Sequence, residues 1–373
     1  MAKRTHFRRW RELSVPCRVL RTVLCVLLAV LIAALAYVAY VFIDYYRIED
    51  NVTLSVEGSM TDADPARVGE TYKAVTYNVG FGAYTPGYTF FMDGGKSSWA
   101  ESKESVVETI QGAAQTVQEL DPDLILLEEV DLDATRSYHV AQDALFSQSF
   151  ADYCYDLAID FDSPFLFYPF TQPHGKSLSA LMTYSRLPIT SALRRSLPIS
   201  ESLSKLVDLD RCYSVSRIPV ENGRELVVYT VHLSAYGNSD AVREGQKRML
   251  QEDMAGELAL GNYVICGGDF NHNLLAAEDE TDAESWAYPF PRSYLPEGMS
   301  FCLDLLDDTR RAALAPTTRN ADIPYDPEQS LCLTVDGFLI SDNIELVDYS
   351  TVDTGFRWSD HNPVMLTFRL LQQ

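Results

Sequence analysis

Val264-Ile265-Cys266-Gly267-Gly268-Asp269-Phe270-Asn271 is the stretch that decides the fold. An apolar, β-branched run of this kind reads as a buried strand. The two glycines let the backbone turn sharply at its end. Asp269 and Asn271 are then offered at the rim of a sheet. An Asp and an Asn two apart suit chemistry on a phosphate, because the carboxylate holds water or a metal ion and the amide donates to a non-bridging oxygen. Alone, the segment reads equally well as a strand followed by an ordinary Asx turn. Its company separates the two readings. A second cluster, Ser359-Asp360-His361-Asn362-Pro363, lies near the end of the chain, and an Asn and a Glu end two earlier strand candidates.

Working outward, Tyr72–Val79 alternates into an apolar strand ending at Asn78, and Leu124–Leu127 is a buried strand ending at Glu128-Glu129. Between them, Val106, Val107, Ile110, Ala113, Ala114, Val117 and Leu120 recur at helix spacing over Ser102–Leu120, and Asp121-Pro122 stops the helix. A second helix is expected over Ala134–Phe150. Short strands are expected over Leu178–Thr183 and Leu187–Thr190. Leu206–Val220 and Glu225–Val231 read as a strand pair turning at Glu221–Arg224, and the second strand runs into His232. A helix over about 240–260 precedes the opening strand. Residues 274–330 read as acidic, Pro-rich loops, Leu331–Ile340 as a strand containing Asp336, and Pro363–Leu370 as the last strand. Gly80–Trp99 is a long loop rich in Phe and Tyr, and it reads either as a substrate wall or membrane-facing patch, or as a loop packed on its own side chains.

The chain has 373 residues, 47% of them hydrophobic, enough for a large core. Its formal net charge of -23, from 53 acidic and 30 basic residues, repels polyanions at long range. That disfavours a sequence-independent grip on nucleic acid through Lys and Arg. It leaves room for a metal-assisted phosphodiesterase, whose cation reverses the local field. The seven cysteines form no C-x-x-C pair, which argues against zinc. One disulfide among Cys154, Cys212, Cys302 and Cys332 is an open expectation for a domain outside the cytoplasm.

Residues 1–21 are basic, and no charge occurs from Thr22 to Ile43. A run of ~20 apolar residues spans a hydrocarbon core as a helix. The basic flank is expected to stay cytoplasmic, leaving the remainder outside. The alternative is a cleaved signal peptide ending at Ala34-Leu35-Ala36, but the apolar run continues beyond it. The expected organisation is therefore a cytoplasmic tail (1–21), a transmembrane helix (22–43), a linker with a first strand (44–70) and a catalytic domain (71–373) in a single-pass cell-membrane protein.

The polar residues at strand ends are Asn78, Glu129, His232, Asp269, Asn271, Asp336, Asp360 and His361. Each has a dull explanation by itself. Together they imply strands converging on one sheet edge, where sites are built. Carboxylates and amides without thiolates suit magnesium or manganese. The histidines suit proton transfer or charge stabilisation, and an acidic neighbour holds such a His in its useful tautomer. No G-x-S-x-G elbow and no P-loop is present, which argues against an acyl hydrolase and an NTPase.

In order, TYNVG, DPDLILLEEV, YSRLPI, VHL, GGDFN, VDGFLIS and SDHNPV resemble the endonuclease/exonuclease/phosphatase superfamily, with its deoxyribonuclease-I-like fold, in a membrane-anchored bacterial type. The resemblance covers roughly residues 72–370. It implies an α/β (α+β) four-layer sandwich of two packed mixed β-sheets flanked by helices. It implies that Glu129 binds metal with Asn78 and Asp360 beside it, and that Asp269 orients or deprotonates the attacking water. Asn271 would contact the phosphate, His361 would stabilise the pentavalent phosphorus with Asp336 orienting it, and His232 matches a phosphate-contacting position. Glu128 stands where the family often has Gln, and Gly175-Lys176-Ser177 replaces the usual Gly-Asn.

The leading expectation is a membrane-tethered, Mg2+- (or Mn2+-) dependent phosphoric-ester hydrolase. Its substrate would be a phospholipid headgroup, another small phosphodiester or, alternatively, nucleic acid. A catalytically inactive binding protein on the same fold is the reading from a different class. No protein partner is inferred.

Overall fold

The structure, a computed structural model, describes residues 14–58, 64–206, 209–235, 240–277 and 285–372. The expected basic residues before Ser14 and part of the acidic stretch after Ala277 lie outside the described residues. The chain divides into an N-terminal unit ending at Tyr46 and a second unit from Arg47 to Gln373. The first contains one 30-residue helix, α1 (Val15–Asp44). It starts earlier than the charge-free run, with Pro16 in its first turn, where proline fits because its missing N–H has no helical partner anyway. It is long and apolar enough to cross a membrane, as anchors and signal sequences both are.

The second unit is built from β1 (Val52–Leu54), β2 (Thr71–Asn78), α2 (Lys103–Leu120), β3 (Leu124–Ala134), α3 (Gln142–Ser149), β4 (Cys154–Asp162), β5 (Ser177–Ser185), β6 (Ser191–Ser196), β7 (Cys212–Pro219) and β8 (Glu225–His232). It continues with α4 (Asp240–Ala259), β9 (Tyr263–Asp269), β10 (Met299–Phe301), α5 (Asp308–Ala312), β11 (Thr318–Arg319), β12 (Cys332–Leu333), β13 (Asp336–Ser341), β14 (Ile344–Thr351) and β15 (Val364–Leu370). One main sheet has seven strands in the order β1-β6-β7-β8-β9-β13-β10, the other six, β14-β15-β2-β3-β5-β4, and β11 and β12 form a separate two-stranded pair. Among the described residues, only β2/β3 and β8/β9 run parallel within these sheets. Each of these pairs is joined through a helix, α2 or α4, as a parallel crossover requires.

Two-residue alternation builds the layers. In β2 and β3, Ala74, Leu124 and Leu126 join the core shared with the seven-stranded sheet, while Val75, Tyr77, Ile125 and Leu127 face the core under α2. Both faces are covered, which is why Leu124–Leu127 of β3 reads as a continuous apolar run. Ser102 caps α2 by accepting from Ser105 N–H, worth about 1 kcal/mol. Its buried stripe is Val106, Thr109, Ile110, Ala113, Ala114 and Val117. Between the sheets runs a polar seam: Ser216 Oγ donates to Asp156 Oδ2 at 2.5 Å, and Thr183 Oγ1 lies 2.6 Å from Thr230 Oγ1. The outcome is the expected α+β sandwich of two mixed sheets.

Several local expectations are corrected. The helix over Ala134–Phe150 shrinks to Gln142–Ser149 because β3 continues to Ala134 and Arg136 folds back onto Asp131, 2.9 Å away. Leu187–Thr190 is a connection, and the strand begins at Ser191. The 206–220 strand starts only at Cys212. The 331–340 segment splits, because Thr317 Oγ1 takes the N–H groups of Val335 and Asp336 between β12 and β13. β4 and β14 were not expected. Residues 47–57 do not hang as a free linker: Arg47 Nη2 donates to the Leu197 carbonyl at 2.6 Å, and β1 pairs with β6. Cys154, Cys212, Cys302 and Cys332 are free thiols, so the disulfide expectation fails. Of the 80–99 loop, Phe81, Tyr84, Tyr88 and Phe90 are buried, packed edge-on against one another, so it follows the self-packed reading.

Candidate functional site

The parallel pair β8/β9 sets His232 opposite Asp269. Gly268 has a φ of 145°, and a Cβ there would lie 2.0 Å from the Val231 carbonyl oxygen. Only glycine lets the strand approach its neighbour this closely while delivering Asp269 to the sheet edge. Asp269 Oδ1 accepts from the Asn271 N–H at 2.8 Å. Asn271 is itself left-handed (φ 50°) and donates to the Leu233 carbonyl at 2.8 Å. The Asx turn and the site are thus the same structure.

The second parallel pair, β2/β3, sets Asn78 opposite Glu128. β3 does not end at Glu129; it bulges between Leu127 and Val130 and runs on to Ala134. The bulge places Glu129 at a φ of 58°, redirecting its side chain relative to a regular pleat. Asn78 Nδ2 donates to Asp269 Oδ2 at 3.1 Å and to Glu129 Oε1 at 3.3 Å. One amide of the six-stranded sheet therefore ties a carboxylate of its own sheet to one of the other. Glu128 points into the sandwich, where Thr76 Oγ1 donates to it at 2.8 Å.

The remaining residues arrive from the seven-stranded sheet and the loop before β15. Asp336 opens β13 opposite Asp269. His361 Nδ1 lies 2.8 Å from Asp336 Oδ2, and its Nε2 lies 3.9 Å from Asp269 Oδ2. Ser359 Oγ donates to the Asn78 carbonyl at 2.8 Å. Trp358 packs on α2 where Gly112 has no side chain; a Cβ there would lie 2.5 Å from the indole. That contact fixes the loop carrying Asp360 and His361. His232 Nε2 lies 3.5 Å from Asp269 Oδ2 and 3.9 Å from Glu129 Oε1.

Burial, and next the Asp336 carboxylate, push Asp269 up to about 7, against the pull of His361, the Asn271 N–H and the Asn78 amide. Burial likewise pushes Asp360 up to about 6, with His361 opposing and Glu129 adding to the rise. Burial works against a charged His361, yet the Asp336 carboxylate overcomes it and holds the imidazolium well above the usual range. His232 goes the other way: burial, then the Arg211 charge, hold it well below, so it is neutral. Burial, then Asp336, hold the Glu128 carboxyl well above its ordinary value. A protonated carboxyl offers one donor and one acceptor face, as an amide does. The structure so gives Glu128 the hydrogen-bonding character of the Gln it replaces.

Asp269, Asp336 and His361 each bring one ligand-type atom within 4.8 Å of the others. Glu129 and Asp360 add carboxylates, and Asp336 Oδ1 is buried without a hydrogen-bond partner. Crowded carboxylates, two of them (Asp269 and Asp360) with raised proton affinity, and an orphaned oxygen are what a divalent cation relieves. Oxygen donors without thiolate fit a hard ion.

The distances above link seven of the expected residues, Asn78, Glu129, His232, Asp269, Asn271, Asp336 and His361, and Asp360 lies beside them, its Oδ1 3.3 Å from the Ser359 Oγ that donates to the Asn78 carbonyl. The sequence reading missed Asp160, whose Oδ2 is 3.6 Å from His232 Nδ1. Asp160 carried a signal: C-Y-D-L-A-I-D-F-D alternates, with Asp156, Ala158 and Asp160 on one face, as an inward-facing strand does.

A family model described as the endonuclease/exonuclease/phosphatase family matches residues 75–361. No curated protein matches. Among solved structures, an endonuclease/exonuclease/phosphatase from Beutenbergia cavernae is 18% identical with a TM-score of 0.55, over 81% of this chain and 72% of that one. A family protein from Bacteroides thetaiotaomicron is 16% identical with a TM-score of 0.53, over 82% and 99%. D. rerio TDP2, solved with a single-strand DNA product, is 15% identical with a TM-score of 0.52, over 80% and 99%. At these identities the likeness is one of fold. The family match runs from within β2 to His361, over both crossovers and the site and all the strands but β1 and β15, and the chain belongs to the endonuclease/exonuclease/phosphatase family.

Proposed function

We propose that the protein is a divalent-metal-dependent phosphoric-ester hydrolase, tethered to the cell membrane by α1 with its catalytic unit outside the cytoplasm. The observation that carries the reaction is geometric: Asp269 Oδ2 lies 3.9 Å from His361 Nε2, whose other ring nitrogen is held 2.8 Å from Asp336, while burial pushes the Asp269 carboxyl up and the Asp336 carboxylate favours the imidazolium. A carboxyl near the working pH accepts a proton from an attacking water efficiently. An imidazolium fixed before reaction stabilises the charge that builds on the phosphoryl oxygens. Asn271 and neutral His232 supply further donors beside Asp269. Glu129 and Asp360, with Asn78 orienting Glu129, would hold Mg2+ or Mn2+, which when bound polarises the phosphoryl group and its water.

The membrane assignment rests on the length and apolarity of α1 and on the basic residues before it. The substrate class favoured is a phospholipid headgroup or another small phosphodiester, because a chain of net charge -23 repels polyanions. Nucleic acid is the second reading, favoured by the fold shared with a protein solved with a DNA product. Release of p-nitrophenol from bis(p-nitrophenyl) phosphate by the full chain with magnesium tests the reaction class, and Asp269→Ala should abolish it. Unchanged turnover in that variant rejects the assignment. Parallel assays on sphingomyelin, DNA and RNA separate the substrates, and preferential DNA cleavage favours the second reading.

A further inference from the structure

The 80–99 loop buries most of its aromatic residues, but another loop does not. Between β4 and β5, residues 163–173 read S-P-F-L-F-Y-P-F-T-Q-P, without one charge in a chain that carries 83 formally charged Lys, Arg, Asp and Glu residues (30 and 53). Phe167, Tyr168 and Phe170 are 51%, 63% and 77% exposed, and Met92, on the adjoining turn, 66%. The Phe91 and Tyr168 rings, 5.8 Å apart, join the two turns into one surface. Single exposed apolar residues are ordinary; a contiguous aromatic surface marks an interaction site.

The place of this loop in the catalytic unit indicates what covers it. Arg47, the first residue of that unit, donates to the Leu197 carbonyl and pairs with Asp210. The same Asp210 accepts, through Oδ2, the N–H of Asp162 at 3.0 Å, the residue from which the aromatic loop departs. One carboxylate therefore joins the entry point of the chain to the root of the loop. By covalent reach alone, Arg47 lies within about 10 Å of Asp44, where the apolar helix ends. Tyr settles at the headgroup level, where an apolar body meets water, and Phe buries its ring just below, at the boundary with the acyl chains.

We propose that residues 163–173, with Met92, are a second membrane contact of the catalytic unit, seated in the interfacial layer of the bilayer that α1 crosses. This rests on the tethered reading of α1. The contact restricts how the unit swings about its tether. Ser177, at the far end of the loop, pairs with Ala134 of β3, five residues beyond Glu129. At about 3.3 Å per residue the loop root is thus roughly 17 Å along β3 from the site, so a seated loop holds the site near the headgroups.

The test uses the full chain reconstituted in phosphatidylcholine vesicles with brominated or ordinary acyl chains. Fluorescence of Phe170→Trp is read after subtracting the wild type, and Tyr288→Trp, at a 59%-exposed position outside the loop, is the control. The expected result is that bromolipid removes about half or more of the added fluorescence of Phe170→Trp and leaves that of Tyr288→Trp unchanged. No quenching of Phe170→Trp overturns the proposal, as does equal quenching at both positions. Shielding of Phe170→Trp from aqueous iodide without bromolipid quenching also overturns it, and assigns the loop to a protein partner or a second copy. Alkaline carbonate extraction of the same vesicles reads the helix separately. A chain that washes off refutes the anchor, while quenching measured beforehand still decides the loop.

Discussion

The two parallel crossovers, β2-α2-β3 and β8-α4-β9, are built alike and contribute differently. Each brings a polar residue at the end of its first strand opposite an acidic one on its second: Asn78 opposite Glu128, and His232 opposite Asp269. In the second crossover the strand stops, and Gly268 lets it stop against its neighbour. In the first the strand continues, and a bulge at Glu128-Glu129 divides two adjacent carboxylates between roles, one buried in the sandwich and one, with a side chain 25% exposed, directed to the site. A glycine stop and a bulge are two backbone solutions to one task, bringing a carboxylate to a sheet edge. The difference is that the bulged version keeps its strand available for the loop beyond it.

Removing the acidic group of either crossover tests whether both are needed for the same reaction. Asp269→Ala and Glu129→Ala are each expected to lower kcat/KM on bis(p-nitrophenyl) phosphate by about 10³-fold or more, in keeping with loss of a positioned base or of metal charge. If only one does so, the crossovers do not share a site. A smaller effect, on stability, separates the backbone solutions. Gly268→Ala forces a Cβ to 2.0 Å from a carbonyl oxygen at a φ of 145°, so it should destabilise by about 3 kcal/mol or more. An unchanged denaturation midpoint would show that the close approach is not what the glycine serves.

Between the sheets, Asp156 reads the cohesion of the two halves. Burial pushes its carboxyl up to about 7, against the Ser216 hydroxyl bond. A folded pKa above the unfolded value near 3.9 means that the native state binds the proton more tightly. The stabilisation is complete below about pH 4 and is lost as pH rises through about 7. Asp156→Asn should remove that slope and raise the stability at pH 8 by on the order of 1 kcal/mol or more. Urea denaturation at pH 5 and 8 measures it; an unchanged difference between the two pH values refutes the shift.

The smallest effect is expected at Glu128. Glu128→Gln keeps the shape and the Thr76 bond, so turnover and stability should stay within about twofold and 1 kcal/mol of wild type. A large loss of turnover would mean that its negative charge is used.

These contrasts also explain what the sequence disclosed. V-I-C-G-G-D-F-N was legible because strand, glycine stop and polar tip follow one another, so local chemistry and position coincide. The α2 stripe was legible because its apolar residues repeat at helical spacing and Ser102 and Asp121-Pro122 mark its ends. Glu129 was identified as a site residue but placed at a strand end, since nothing local announces that pairing resumes at Val130. β4 and β14 escaped because their alternation includes charged residues, which are satisfied only by tertiary partners such as Ser216. The exposed loop 163–173 went unread: its composition is apolar, but only the fold distinguishes it from the aromatic and largely buried loop 80–99.

The central claim is that carboxylates from both sheets serve one metal-assisted phosphoester hydrolysis. The most direct measurement is the magnesium dependence of bis(p-nitrophenyl) phosphate turnover in the wild type and in Glu129→Gln. The account expects EDTA to abolish wild-type turnover and the substitution to raise the half-saturating magnesium concentration by about tenfold or more. Turnover that survives EDTA, or identical magnesium curves for the two proteins, would contradict it.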